Sequence, residues 1–120
     1  MVAGIGWCGK IYDTSRRREV IAEPIDELAL KKVVHDWDEW NAYRIQCEGG
    51  RIRSWINGVA AHDYTEQDPT IPLEGLIGMQ AHSGGKFVVQ FKDISIKELP
   101  PTVGAPTWKG VELKTWPKKN

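Results

Sequence analysis

His82 and Gln80 stand two residues apart in the segment LIGMQAH, whose alternate positions are apolar. In a strand, Ile77, Met79 and Ala81 face one way and Gly78, Gln80 and His82 face the other. An imidazole that titrates near neutral pH, beside a carboxamide that can hold a hydroxyl, has the makings of a general base site. The plain alternative is a solvated histidine at a strand end, just before the Ser83-Gly84-Gly85 turn.

A second group gathers near the N-terminus, where Tyr12 and Asp13 precede the run Arg16, Arg17 and Arg18. A carboxylate, a phenol and guanidinium donors can contact hydroxyl groups or stabilise an enolate oxygen. Lys10 shares the Tyr12 face and is a weaker member. A charged solvent loop would read the same way. Arg53, Trp55 and Asn57 form a third set, on the strand face opposite Ile52 and Ile56. An indole on an open sheet face suits stacking against the C–H face of a sugar, unless another part of the chain covers it.

Other titratable residues carry less. His35 and His62 have no third donor at metal-ligand spacing, and Asp63, Glu66 and Asp68 lack an EF-hand register, so they read as a solvated loop. Cys8 and Cys47 also lack metal spacing and read as small, half-buried hydrophobes rather than a disulfide. No metal or cofactor is expected.

The elements that must position these groups are β-like. Residues 41–48 (NAYRIQCE) alternate cleanly, and Gly49-Gly50 supplies a two-residue turn. Residues 51–56 return to a second tight turn at Asn57-Gly58, and residues 59–64 follow, which predicts a three-stranded meander. Residues 76–82 are read as the next strand. Residues 86–99 form a long one whose apolar phase changes from odd (Phe87, Val89, Phe91) to even (Ile94, Ile96), so a β-bulge is placed at Lys92 and Asp93. Residues 5–13 and 28–34 are also read as strands, the latter despite the helical propensity of DELALKK. No helix is expected. Trp7, Trp37 and Trp40 are assigned to the core or its rim. From Pro100 onward the chain reads as an extended tail that Trp108 and Trp116 pin to the body.

Size and charge bound the functions available. The chain has 120 residues, about one domain's length. Ile, Val, Leu and Phe together exceed the roughly 20% that marks disordered chains. Sixteen basic residues balance sixteen acidic ones, and each half of the chain is balanced too, so the footprint of a nucleic-acid binder is missing. No apolar run reaches the roughly 18 residues of a membrane span, and no basic stretch leads into an apolar leader.

The series WNAYRIQCEGGRIRSWINGVAAHDYTEQDP, then GLIGMQAHSGG, then FKDISIKEL, closely resembles the 3-keto-disaccharide (3-keto-glycoside) hydrolase domain family. The upstream GWCGKIYDTSRRREVIAEP resembles that family's GWWG-x-hydrophobic-YDE-x-x-R segment, with Cys8 in place of an aromatic residue and Asp13 where Glu is common. The resemblance runs from about Ile5 to Leu99. It implies an all-β fold, a concanavalin/laminin-G-like jelly-roll β-sandwich, of which residues 1–99 form the C-terminal portion without the N-terminal strands, and residues 100–120 form the tail. It also implies cleavage of 3-keto-glycosides by base-assisted elimination and hydration. In that chemistry His82 is the base, Asp13 its deputy and Tyr12 a donor, with Gln80, Trp55, Arg53, Arg17, Arg18 and Lys10 as substrate contacts. The expected partners are a carbohydrate substrate and a second copy or complementing chain, with no nucleic acid and no membrane. A non-catalytic carbohydrate-binding module, or a half-domain needing a partner, is the alternative. Members of the family are often exported.

Overall fold

The computed structural model describes residues 8–36, 38–81, 84–101 and 103. Among the described residues, five antiparallel strands and one helix follow one another as β1 (Ile11–Asp13), β2 (Glu19–Ala22), α1 (Glu27–Val33), β3 (Tyr43–Glu48), β4 (Arg51–Ile56) and β5 (Val59–Thr65). β1 and β2 pair as a hairpin, and β3-β4-β5 form a meander. The described residues are thus mainly β, in antiparallel sheets. Among them no helix is long and apolar enough to cross a membrane.

The meander follows its turn chemistry. Gly49, Asn57 and Gly58 all adopt positive φ, 57°, 49° and 82°, the conformation that tight hairpins demand and that glycine and asparagine tolerate. Asn57 also staples its surroundings. Its Nδ2 donates to the Val33 carbonyl at 2.6 Å and to Asn41 Oδ1 at 2.9 Å, while its Oδ1 accepts from the Ala42 amide at 2.8 Å.

Between β4 and β5 the register slips. Trp55 opposes Ala60 and Ser54 opposes His62, which leaves Ala61 as an extra, bulged residue. The slip turns both Ala61 and His62 inward.

Leu30, Ile56 and Ala61 are fully buried and form the core, with Cys8, Val34 and Val59 packed against it. Gly9 lies against this cluster at φ +78°, and a Cβ there would meet Leu30 Cδ1 at 2.8 Å. The Ile25 amide donates to the Ala61 carbonyl at 2.8 Å and leads the chain along β5 into α1.

Three expectations need correction. Residues 28–34 are not a strand but belong mostly to α1. Asp26 caps that helix by accepting from the Ala29 amide at 3.0 Å. Glu27 sits in the first turn and Lys31 and Lys32 in the last, charges that match the helix dipole. The strand expected over residues 5–13 spans only Ile11–Asp13 among the described residues, because Cys8 and Gly9 turn. Its partner β2 was not foreseen at all. Residues 76–81 and 86–99 take no regular secondary structure, with bends at Lys86 and Asp93, and join no ladder. Their alternation fixes which side chains share a face, but a strand needs a hydrogen-bonded neighbour and none of the described residues supplies one. Asp93 does take φ 54° where the apolar phase changes, so the chain bends at the expected place without forming a paired bulge. His82, Trp7, Trp37, Trp108 and Trp116 lie outside the described residues, as does nearly all of the tail.

Candidate functional site

The tip of the β1–β2 hairpin is bound by its charges to the far end of β5. Asp13 closes β1. Its Oδ1 accepts from the Ser15 and Arg16 amides at 3.2 and 2.9 Å, which forms the turn, and its Oδ2 accepts from Arg17 Nε at 2.7 Å. Arg17 then reaches across the fold. Its Nη1 donates to Glu66 Oε1 at 3.1 Å and to the Tyr64 hydroxyl at 3.3 Å, and its Nη2 donates to Glu66 Oε2 at 2.7 Å. Beside it, Arg16 Nη2 donates to Thr70 Oγ1 at 2.5 Å and lies 3.5 Å from Asp68. Asp68 in turn accepts from the Thr70 amide and hydroxyl at 2.9 and 2.6 Å.

These contacts set the local electrostatics. Partial burial would raise the Asp13 pKa, but the Arg17 hydrogen bond and the amides of Arg16, Arg17 and Ser15 outweigh it and bring it down to about 2. Burial likewise opposes ionisation of Glu66, and Arg17 reverses the balance and lowers its pKa. The two carboxylates, led by Glu66, raise the pKa of Arg17. A carboxylate so strongly ionised, with both oxygens engaged, is a weak proton acceptor. Asp13 is built to fix the hairpin tip. Arg17 spends most of its donors on the same task.

Arg18 differs from its two neighbours. It holds φ 54°, a conformation uncommon for a residue with a Cβ, and it is exposed with no ion pair among the described residues. Tyr12 is 44% exposed on β1. Lys10 Nζ lies 3.6 Å from Glu23.

The outer face of the meander carries the second set. Arg44 and Arg53 place their guanidinium carbons 5.0 and 5.8 Å from the Trp55 ring centroid. Arg53 also pairs with Glu48 at 2.5 Å, and Arg51 forks onto Asp63 at 2.9 and 2.7 Å. Trp55 and Arg53 do share the expected face, but cations flank the indole. Asn57, expected on that face, is held in the turn instead. Gln80 is exposed on the segment 76–81 and is not brought to either cluster by any contact among the described residues.

One buried polar group went unread in the sequence. His62 Nδ1 lies 3.0 Å from Ser54 Oγ and 3.2 Å from the Gly9 carbonyl. A carbonyl only accepts, so Nδ1 carries the proton and Nε2 is left as a buried acceptor with no hydrogen-bond partner. Burial lowers the His62 pKa and keeps the ring neutral. Its inward direction comes from the Ala61 bulge, which no local pattern announces. Among the described residues no cluster of His, Cys, Asp and Glu could hold a metal ion.

The sequence profile of the family described as a 3-keto-alpha-glucoside-1,2-lyase-like domain matches residues 3–97. The chain belongs to this 3-keto-alpha-glucoside-1,2-lyase-like family. Neither the curated proteins nor the solved structures contain a match to it. The lyase-like match takes in all six elements, the charged hairpin tip and the chain beyond β5 up to Lys97. It therefore includes the segments that the structure leaves without a ladder.

Proposed function

We propose that this lyase-like domain acts on 3-keto-glycosides by elimination across C1 and C2, followed by hydration. A ketone at C3 acidifies the C2 proton. A base removes that proton, and the electrons left on C2 form an enolate with the C3 oxygen. The enolate collapses to expel the C1 substituent, which leaves as an alcohol after taking a proton. Water then adds to the resulting enone, with hydroxyl at C1 and a proton at C2.

In this reading His82 takes the C2 proton, and Tyr12 and Arg18 supply donors to the enolate oxygen. Arg18 suits the role because its guanidinium is not consumed by the pairs that occupy Arg16 and Arg17. Asp13 and Arg17 act through the hairpin they hold. Lys10, Gln80, Trp55 and Arg53 contact sugar hydroxyls. Residues 1–99 form part of a concanavalin-like jelly roll, in keeping with antiparallel pairing in both sheets, and residues 100–120 extend from it.

The family match carries the proposal. It is tested by incubating the chain with a 3-keto-α-glucoside and with the corresponding ordinary glucoside. Release of the aglycone from the first alone supports the reading. Saturable binding of either without product favours a saccharide-binding module.

A further inference from the structure

Asn57 is the chain's one asparagine followed by glycine, and it has a reaction open to it that needs only water. The Gly58 backbone nitrogen, on losing its proton, can attack Cγ of the Asn57 side chain. The new C–N bond closes a five-membered imide, and the Cγ–Nδ2 bond breaks to release ammonia. Water then opens the imide at either carbonyl and leaves an aspartate or its β-linked isomer, with no electrons exchanged. Glycine suits the attack because no side chain shields its nitrogen, and the space around Gly58 is open, since a Cβ there would meet nothing within 4 Å.

The fold holds the carboxamide back from this reaction. Nδ2 donates to the Val33 carbonyl at 2.6 Å and to Asn41 Oδ1 at 2.9 Å, and Oδ1 accepts from the Ala42 amide at 2.8 Å. Asn41 is itself fixed, accepting from the His35 amide at 2.8 Å and donating to the His35 carbonyl at 3.2 Å. Ring closure makes Cγ tetrahedral and swings it towards Gly58, which breaks all three side-chain bonds. The product fits no better. A carboxylate has no proton to give, yet it would meet two acceptors, the Val33 carbonyl and Asn41 Oδ1. Turning the Asn41 amide over to donate would give up its bond from the His35 amide. The β-linked isomer would add a backbone carbon to a two-residue turn whose φ values are 49° and 82°.

We propose that Asn57 is a self-modification site that folding closes. While the chain is folded, the staple from Asn57 to Val33, Asn41 and Ala42 holds off the imide. A chain that unfolds is deamidated at this turn, and the modified chain no longer ties the end of α1 to the start of β3. Asn57 thereby turns an excursion from the folded state into an irreversible loss.

The test follows the mass of the tryptic peptide that starts at Ser54, in the full chain kept in mildly alkaline buffer with and without enough urea to unfold it. The unfolded chain gains the mass of an amide-to-acid exchange roughly tenfold or more faster than the folded chain, the factor that breaking three such hydrogen bonds implies. Gly58→Ala slows the reaction in urea, as expected if the Gly58 nitrogen is the nucleophile. Asn41→Ala removes one acceptor from Nδ2 and speeds the reaction in buffer, with circular dichroism to show that the variant is still folded. Asn57→Asp, made directly, carries the product's side chain and melts below the parent chain. Equal rates in the folded and unfolded parent chain overturn the proposal. So does an Asn57→Asp chain that melts with the parent.

Discussion

Arg17 grips Glu66 by both carboxylate oxygens, at 3.1 and 2.7 Å, across 49 positions of sequence. The Glu66 side chain is only 8% exposed. A charge placed so deeply is tolerable only with its partner present. Because Arg17 also holds Asp13, this one side chain joins the β1–β2 hairpin to the end of β5.

Removing the guanidinium is therefore expected to cost more than an ordinary surface change. Arg17→Met leaves two carboxylates without their counter-charge and should lower stability by about 2–3 kcal/mol. Arg17→Lys keeps the charge but loses the fork and should cost less, about 1–2 kcal/mol. Urea unfolding midpoints of the two variants check this. A midpoint unchanged in Arg17→Met contradicts the role given to the pair.

The same network gives stability a sign with pH. Asp13 has a folded pKa of about 2 against an ordinary 3.8, so its contribution is present above the ordinary value and is lost as pH falls towards 2. Glu66, also lowered, acts in the same direction. His62 adds an earlier step. Its folded pKa lies below the ordinary 6.5, so the unfolded chain takes up the proton first and stability declines as pH drops below that value. Thermal melts between pH 8 and 3 should show both declines, and His62→Gln should abolish only the one nearer neutrality.

Gly9 is expected to be intolerant of any side chain. Its φ of +78° and the 2.8 Å approach of Leu30 Cδ1 act together. Gly9→Ala should cost about 2–4 kcal/mol, the backbone strain adding to overpacking of the core. The melt of that variant, set beside that of Gly58→Ala, separates the two effects. Gly58 shares the positive φ, but a Cβ there would meet nothing within 4 Å.

Local chemistry made the meander readable from sequence. Gly49-Gly50 and Asn57-Gly58 encode turns directly, and the alternation in β3 and β4 encodes their faces. The helix was missed although LALKKVV does not alternate, and its true signals were the Asp26 cap and the charges at its two ends. β2 was hidden by its short length beside a run of charges. Residues 76–99 displayed the pattern of strands, but pattern alone cannot supply a neighbour. At the site, Asp13 and Arg17 stood out by type. Their engagement with Glu66 and Tyr64 depends on how the sheet ends meet, which spacing along the chain does not reveal. His62 was obscured by the Ala61 bulge in the same way.

The proposed roles separate by their kinetic effects. His82→Ala should reduce kcat for a 3-keto-glucoside by about 10²–10⁴-fold with little change in binding, the usual loss for a positioned general base. Arg18→Ala should lower kcat, as removal of an oxyanion donor does. Asp13→Asn should act mainly through stability, seen as a lowered melt. A His82→Ala variant of full activity would remove that residue from the mechanism.

The most direct test of the elimination itself is isotopic. Turnover of a 3-keto-α-glucoside in deuterium oxide, followed by NMR at early times, reports the fate of the C2 proton. Elimination and hydration place one deuterium at C2 of the released 3-keto sugar for each bond cleaved, with C4 unlabelled. Cleavage that leaves the original proton on C2 would contradict the account.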